Sequence, residues 1–484
     1  MLPAFVFAVA LALRLHGIDA RPLWLDEIHT LRRAALPLSA MSAESHANMH
    51  QPTYFVLVSL LSKWGDGAWI VRAPSAVFGA LSAAVVAVVA RGIAGPVAGI
   101  VAGLTMAASP FQLIYGQEAR PHAAAAFFVH VAFWGWIRLA AAAESPAATP
   151  TAPAPAWPWI AYGAGTLAAL MVSNVALPWL IAANVGAVAI GRRLGAGRRP
   201  FAVRWLWIQG AIVALWLPSF LTMTAPIATA AGGRFWIPQP TLESVWAAVS
   251  AVYLMRVSDV VMFHLGPDAV PGLALAVAAL AAFGAWRLRH RPLTLGFVSL
   301  AFILLPLFLL AASLRQGVFL PRYLLWSAGP FFVLVGTGFA AIPWRRARFF
   351  AGGALAVLLA WNAYDYARYE TKPRWDLAVS HILREIRPGD VLLMRDYWTP
   401  LVFRAIAARE GAADLPIVAT APDALAALAK GGRAWAVHGR AGFGPALSPE
   451  DYAERLRVAG MGTPAATIRF GASVYALRYE RDQR

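Results

Sequence analysis

Two adjacent carboxylates, Asp26 and Glu27, follow the first hydrophobic segment of the chain, Leu2 to Leu15. A carboxylate beside an apolar segment loses solvation energy, which favours a chemical role or a bound cation. Neighbouring side chains point in different directions on a helix or strand. One carboxylate could therefore act as a general base while the other holds a cationic partner. The alternative is that the pair only caps or solvates a surface helix.

Three histidines, His29, His46 and His50, share a loop with the acidic pair. Carboxylate and imidazole groups are common ligands of divalent metals. Asp26, Glu27 and His50 are therefore the candidate metal ligands, and a divalent cation is the one candidate cofactor. The spacing matches no metal motif such as H-E-x-x-H, so the sequence does not decide whether a metal is bound.

A second polar cluster interrupts the apolar sequence between positions 117 and 122. It consists of Gln117, Glu118, Arg120 and His122. Arginine suits bidentate contacts with phosphate, which makes this cluster a candidate donor site. The alternative is a Glu118–Arg120 ion pair at a helix end, which contributes little if it is exposed.

Further cations stand at Arg322, which precedes Tyr323, and at Lys372. An arginine at a membrane edge can also snorkel, and a lysine there can belong to a basic collar at the lipid headgroups. A base combined with such cations suits transfer from a lipid-linked phosphate. The base takes a proton from the acceptor hydroxyl, and the cations stabilise the departing phosphate. No P-loop, G-x-G-x-x-G or D-x-D motif for a soluble nucleotide donor occurs.

The composition indicates a polytopic α-helical membrane protein. Hydrophobic residues make up 60% of the 484 residues, charged residues only 13%, and the mean hydropathy is +0.60. Soluble domains carry about a quarter charged residues. Apolar windows long enough to span a bilayer predict about eleven transmembrane helices, centred near residues 9, 82, 103, 130, 164, 182, 213, 279, 303, 332 and 355. The first is expected to be retained rather than removed as a signal peptide.

The arginine distribution predicts the orientation of these helices. Basic residues cluster in three short loops, near 192–204, 287–291 and 345–348, and such loops are usually cytoplasmic. The large loop 17–71, the loops near 111–121, 222–270 and 313–322, and the C-terminal tail are then extracytoplasmic. Glu144 to Pro155 reads as a linker on the cytoplasmic side. Within loop 17–71, Leu31 to Met41 and Pro52 to Trp64 are predicted to be short interfacial helices.

Two domains are predicted. Residues 1–364 form the membrane-embedded catalytic domain, and residues 365–484 form a small soluble extracytoplasmic α/β domain. Its expected strands lie near 390–394, 415–419, 434–437 and 473–477, with helices near 375–387, 400–410, 421–430 and 449–459. Cysteine is absent, which excludes disulfides and cysteine-based zinc sites. The basic clusters carry no interleaved aromatic residues, so nucleic acid is not an expected partner.

Several short motifs, taken in order, resemble a known enzyme superfamily. They are Leu23-Trp24-Leu25-Asp26-Glu27, His50-Gln51-Pro52-Thr53-Tyr54, Arg72-Ala73-Pro74-Ser75 with Phe78-Gly79, Ser109-Pro110-Phe111, Gln117-Glu118-Ala119-Arg120 and Pro321-Arg322-Tyr323. The sequence is similar to the bacterial GT-C glycosyltransferases of the dolichyl-phosphate-mannose–protein mannosyltransferase-like superfamily, which includes the aminoarabinose transferases acting on lipid A. The similarity covers roughly residues 1–375.

The resemblance implies a GT-C fold, a polyprenyl-phosphate-linked sugar donor such as undecaprenyl phosphate, and inversion at the anomeric carbon. It assigns catalysis to Asp26 and Glu27, with Asp26 as the base. It assigns donor contacts to the Gln117–Arg120 segment, Arg322 and Tyr323, and Lys372 joins this set as a nearby cation. His50, Tyr54, Arg72 and His122 are the expected acceptor or loop residues.

The enzyme implied would be a hexosyl- or pentosyltransferase of the cell envelope, in the bacterial inner membrane. Its acceptor would be a glycolipid such as lipopolysaccharide, a polysaccharide or a protein. A transporter or flippase of lipid-linked glycans is the alternative from another class. It predicts charges near the middle of spans or inverted repeats, and neither is evident. A non-catalytic scaffold presenting the tail is the third reading, and it leaves the acidic pair unexplained.

Overall fold

The computed structural model describes residues 1–65, 67–145, 155–229, 237–255, 270–368, 372–412, 414–439 and 447–480. Over these residues the chain forms nineteen α-helices and five β-strands. The N-terminal helices are α1 (Leu2–Leu15), α2 (Leu25–Ala34), α3 (Leu38–Ala47), α4 (Thr53–Leu61), α5 (Ala68–Ala108), α6 (Pro110–Gly116), α7 (His122–Glu144), α8 (Trp157–Val172), α9 (Leu177–Arg193), α10 (Arg198–Thr229), α11 (Leu242–Tyr253), α12 (Val270–Arg287), α13 (Pro292–Ser313), α14 (Ala328–Ala340) and α15 (Arg345–Arg368).

The predicted membrane class is confirmed. Among the described residues, seven helices are long and apolar enough to cross a bilayer: Ala68–Ala108, His122–Glu144, Asn174–Arg193, Arg198–Thr224, Gly272–His290, Pro292–Ser313 and Pro321–Ala340. Leu2–Leu15, Trp157–Val172 and Leu242–Tyr253 are shorter apolar helices. The predicted total of eleven spans and their orientation stay predictions.

Helix α5 contains two of the predicted spans, those centred near 82 and 103. They are joined at a kink, where Ala94 and Gly95 leave helical geometry and Gly95 has φ +87°. Glycine adopts this backbone region without the steric cost that a Cβ brings. Pro96 follows the kink and starts the second half, because proline suits a first helical turn.

Small residues let the helices around α5 approach closely. Helix α5 packs against α1, α7 and α14. A Cβ at Gly336 of α14 would overlap the carbonyl oxygen of Ala98, and one at Gly103 would lie 2.8 Å from Val6. Such close contacts are typical of membrane helices, which associate by packing rather than by the hydrophobic effect.

The chain divides into two compact units. The first comprises Met1–Ile18 and Arg33–Tyr369, and the second comprises Asp19–Arg32 and Glu370–Arg484. The segment with the acidic pair therefore groups with the C-terminal residues. The predicted functional division at 364/365 stays a prediction, since it concerns activity and membrane side.

The second unit contains a five-stranded sheet flanked by helices. Its elements are α16 (Trp375–Glu385), β1 (Val391–Leu393), α17 (Trp398–Arg409), β2 (Ile417–Val418), α18 (Ala421–Ala429), β3 (Ala434–Gly439), α19 (Pro449–Val458), β4 (Ala466–Phe470) and β5 (Val474–Tyr479). The strand order is β2-β1-β3-β5-β4. Strand β1 pairs in parallel with β2 and β3, whereas β5 pairs antiparallel with β3 and β4.

The α/β class predicted for the tail is confirmed, with four strands and four helices near their predicted positions. Strand β4 was missed. Two of its five residues, Thr467 and Arg469, are polar, and it lies at the sheet edge with alternating burial. The helices could be predicted because the apolar residues of each one share a face. In α16 these are Trp375, Ala378, Val379 and Ile382.

The predicted interfacial helix from Leu31 to Met41 is wrong. Helix α2 begins earlier, at Leu25, and a break at Pro37 separates it from α3. Proline disfavours helical geometry in the residue before it, so a helix cannot continue through Leu36 into α3. The second predicted helix, Pro52 to Trp64, is confirmed as α4 followed by a 3-10 turn at Ser62–Trp64. The predicted linker 144–155 lies largely outside the described residues. The predicted outer loop 222–270 contains the end of α10 and helix α11, and its residues 230–236 and 256–269 lie outside the described residues.

Candidate functional site

The acidic pair occupies the first turn of α2, in the second unit. The amides of Glu27 and Ile28 both donate to the carbonyl of Trp24 and start the helix. Carboxylates in a first helical turn interact favourably with the helix dipole. The hydroxyl of Thr30 donates to the carbonyl of Asp26, one turn on. The structure therefore holds both carboxylates on a regular helix rather than on an irregular loop.

Glu27 and Lys372 form a buried ion pair within the second unit. The Lys372 Nζ donates to Glu27 Oε2 at 2.7 Å, and the side chains are 5% and 0% exposed. A buried charge is tolerated when an opposite charge and hydrogen bonds compensate its lost hydration. The contact links α2 to the start of the C-terminal segment, 345 residues later. Glu27 is thus the member of the pair that holds a cation.

Asp26 lies on a different face of α2. Successive helix residues are turned by about 100°, and Asp26 is partly exposed where Glu27 is buried. His29 is also partly exposed and stands one turn from Asp26, on the same face. The His29 ring meets the Trp398 ring edge-on, with centroids 5.5 Å apart. Asp26 therefore belongs to an accessible surface that also includes His29 and Trp398.

Arg120 is the centre of a polar cluster in the first unit. Its Nη2 lies 3.4 Å from His50 Nε2, and its carbonyl accepts the Ser75 hydroxyl at 3.1 Å. Tyr54 Oη lies 2.7 Å from the Ser75 hydroxyl. Because a guanidinium only donates, His50 Nε2 must accept, and the ring proton then sits on Nδ1. Arg120 thereby contacts His50 directly and Tyr54 through Ser75, so that three predicted residues lie together.

Gln117 fixes the start of the predicted donor segment to α1. Its Nε2 donates to the carbonyls of Arg14 at 2.9 Å and His16 at 2.8 Å, and its Oε1 accepts Tyr366 Oη at 2.5 Å. Arg14 itself is fully buried, and its Nη1 donates to the carbonyls of Ala10 and Ala107. The side-chain amide of Gln117 is therefore hydrogen-bonded to two backbone carbonyls and to a tyrosine. These bonds indicate that Gln117 holds the segment in position.

Arg322 lies in a 3-10 segment, Pro321–Ser327, that leads into α14. Its guanidinium carbon is 5.8 Å from the centroid of the Tyr323 ring, and the His122 ring is 6.3 Å from the same ring. Arg322 and His122 are 4% and 8% exposed. These three predicted residues are therefore neighbours.

Side chains from three other helices hold the 3-10 segment. Gln112 Nε2 donates to the carbonyl of Leu325 at 3.0 Å, and His130 Nε2 lies 2.8 Å from the carbonyl of Trp326. Tyr253 Oη lies 2.6 Å from the Ser327 hydroxyl. Since a carbonyl only accepts, His130 carries its proton on Nε2, and the Ser82 hydroxyl donates to Nδ1 at 2.8 Å. Three consecutive residues of the segment are thus held, Leu325 and Trp326 at the backbone and Ser327 at its hydroxyl.

The remaining predicted residues have these surroundings. Arg72 is fully buried and its Nη1 donates to the carbonyl of Ile18 at 2.6 Å. Glu118 is 2% exposed, and its carbonyl accepts the amide of Arg120 at 2.7 Å. Lys372, expected at the donor phosphate, donates to Glu27. Among the described residues no three His, Asp or Glu side chains gather as a metal site. The functional roles of all these residues stay predictions.

The sequence did not single out several residues that these contacts bring in, among them His130, Arg14 and Trp398. His130 lies in mid-helix and looks like core, Arg14 looks like a membrane-edge anchor, and Trp398 lies more than 370 positions after Asp26. Ser75 could have been found from the sequence, since it is the last residue of the Arg72–Ser75 motif. An open groove of about 870 Å³ between α8 and α10 is lined by other residues, among them Trp159, Arg199, Arg204 and Trp207.

Two crystal structures of ArnT from Cupriavidus metallidurans resemble this chain over nearly its whole length. The apo structure gives a TM-score of 0.58 at 15% sequence identity, covering 98% of this chain and 97% of that one. The structure bound to undecaprenyl phosphate gives 0.55 at 15% identity, with the same coverage. No family model and no curated protein sequence matches. The likeness at this identity concerns the fold, and it includes the C-terminal α/β unit. The chain therefore has the predicted GT-C fold, which it shares with ArnT.

Proposed function

We propose that this protein is an integral-membrane glycosyltransferase. It transfers a monosaccharide from a polyprenyl-phosphate-linked donor to a hydroxyl of an acceptor. The observation that carries the proposal is the combination of the ArnT fold with a partly exposed Asp26 beside a neutralised Glu27. A partly exposed carboxylate next to a buried, ion-paired one suits a general base.

The lipid phosphate is the part of the donor with the clearest support. ArnT has been solved with undecaprenyl phosphate, in a structure that aligns with 98% of this chain. In this chain the buried guanidinium groups of Arg120 and Arg322 are the candidates to bind the phosphate, because arginine pairs with phosphate in a fixed bidentate geometry.

The reaction would be a single displacement with inversion. Asp26 accepts the proton of the acceptor hydroxyl, and the hydroxyl oxygen bonds to the anomeric carbon as the bond from that carbon to the phosphate oxygen breaks. The electron pair of that bond leaves with the lipid phosphate. Arg120 and Arg322 stabilise the charge that develops there, so the leaving group needs no general acid. Glu27 and Lys372 act as positioning residues, since their ion pair fixes α2.

We place this chemistry on the extracytoplasmic side of a bacterial inner membrane. The three arginine-rich loops, near 192–204, 287–291 and 345–348, support that orientation through the positive-inside rule. The polyprenyl donor and a glycolipid, polysaccharide or protein acceptor would both reach the enzyme there. A divalent cation is not required by the steps above.

Mass spectrometry of envelope glycans and glycolipids tests the activity. Cells lacking this chain should lose one sugar substituent, and the wild-type gene should restore it. The mass difference identifies the sugar and the molecule that carries it. Transport is the competing function, and proteoliposomes distinguish the two. Movement of a lipid-linked glycan across the bilayer with no covalent product would reject the transferase and favour a flippase.

A further inference from the structure

Two aromatic side chains stand exposed at the start of α17, in the second unit. Tyr397 is 75% exposed and Trp398 is 43% exposed. Their ring centroids are 4.7 Å apart, and the planes are nearly perpendicular at 83°. Adjacent large aromatic rings at a surface are costly to hydrate, and in soluble parts of proteins they mark sites where another molecule binds.

The aromatic pair is held rigidly. Asp396 Oδ1 accepts the amides of Trp398 at 2.9 Å and Thr399 at 2.6 Å, and Oδ2 accepts the Thr399 hydroxyl at 2.6 Å. Burial of Asp396 opposes its ionisation. The hydrogen bonds from His438, Thr399 and Trp398 outweigh that effect and lower the pKa of the carboxyl to about 2. The cap is therefore ionised at neutral pH, and a fixed backbone loses little entropy when a ligand binds.

The aromatic pair adjoins the surface that carries Asp26. Trp398 contacts His29 edge-on at 5.5 Å, and His29 lies one helical turn from Asp26 on the same face of α2. Between them, Glu27 and Ile28 point inward and are 0% and 3% exposed. The exposed groups of this face thus run from Asp26 through His29 to Trp398 and Tyr397.

We propose that Tyr397 and Trp398 form the acceptor subsite, where a sugar ring of the acceptor glycan stacks while its hydroxyl is presented to Asp26. The inference rests on the proposed glycosyltransferase activity and narrows its acceptor to a glycan or glycolipid. The C–H face of a sugar ring is apolar and complements the negative face of an aromatic ring. Its hydroxyls would hydrogen-bond to Asp26 and His29.

The polar neighbours favour a sugar over a lipid surface. Tyrosine and tryptophan also anchor proteins at bilayer interfaces. In that case Asp26 and His29, which lie on the same face, would lose hydration against the apolar part of the lipid, which is costly for polar groups. A sugar ring offers both an apolar face and hydroxyl groups to the same patch.

The test measures acceptor and donor kinetics separately in the full-length protein in nanodiscs. The acceptor probe is the glycolipid fraction extracted from cells lacking the chain, and the donor is the polyprenyl-phosphate-sugar fraction of the same cells. Trp398→Ala should raise the apparent KM for the acceptor about tenfold, which corresponds to about 1.4 kcal/mol of lost binding free energy, because the sugar ring loses its stacking partner. The donor KM should stay unchanged. Trp398→Phe should keep most of the acceptor affinity.

The matched control is Trp344→Ala, which removes a tryptophan that is 74% exposed in the first unit. It should leave both KM values at the wild-type level. If Trp398→Ala does not fold, Tyr397→Ala tests the subsite instead. The Tyr397 side chain is so exposed that its removal should cost little stability.

Each other outcome overturns a defined claim. An unchanged acceptor KM in both alanine variants rejects the subsite but leaves the proposed glycosyltransferase activity intact. An equal rise of donor and acceptor KM also rejects it and indicates a lipid contact. Absence of any transfer by the wild-type protein rejects the proposed function itself.

Discussion

Glu27 and Lys372 show how one buried contact can divide the roles of two neighbouring carboxylates. Sequence reasoning predicted that one member of the pair would hold a cation, because adjacent side chains diverge. It did not identify Lys372, which is 345 residues away. Only the folded chain brings them together, so long-range partners of this kind are not readable from a single sequence.

Breaking this ion pair should destabilise the second unit. Lys372→Met leaves the Glu27 carboxylate buried without its cation, and removing one partner of such a pair costs about 3–5 kcal/mol. The double variant Glu27→Gln with Lys372→Met should recover most of that loss, since no unpaired charge remains. Hydrogen exchange of α2 and α16 in the full-length protein measures both effects. If Lys372→Met exchanges no faster than the wild type, the contact does not stabilise the unit.

Among the elements, the 3-10 segment Pro321–Ser327 shows how backbone geometry supports a charged side chain. The sequence predicted Arg322 and Tyr323 at the start of a span. It could not predict the contacts of Gln112, His130 and Tyr253, because polar residues inside apolar helices look alike whether they bind backbone or each other. Helix lengths and apolar faces were predictable, whereas the break at Pro37 and the polar edge strand β4 were not.

His130 should act on donor binding through the position of Arg322. His130→Ala removes the donor to the Trp326 carbonyl, and a lost buried hydrogen bond costs about 1–3 kcal/mol. We expect binding of undecaprenyl phosphate to weaken about tenfold. His130→Gln retains an N–H at the position of Nε2 and should bind within about threefold of wild type. Equal binding by the alanine variant and wild type, or equal loss in both variants, would contradict this positioning role.

For the whole molecule, hydropathy and an ordered set of short motifs were sufficient to predict the class and the GT-C fold. Membrane spans are readable because lipid requires long apolar helices. The sheet order β2-β1-β3-β5-β4 and the grouping of residues 19–32 with the C-terminal unit were not predictable. Both depend on contacts between distant segments, which local composition does not encode. The sugar and acceptor likewise lie beyond what a fold determines.

The general-base role of Asp26 is tested most directly by Asp26→Asn, expressed in cells that lack the wild-type gene. The amide preserves the shape of the side chain but cannot take up the proton of the acceptor hydroxyl. Asp19→Asn, an exposed change in the same segment, is the control. Mass spectrometry of the envelope glycolipids should show the sugar substituent in the Asp19→Asn cells and none in the Asp26→Asn cells, at equal protein levels. Full substitution of the acceptor in the Asp26→Asn cells would contradict the assigned role.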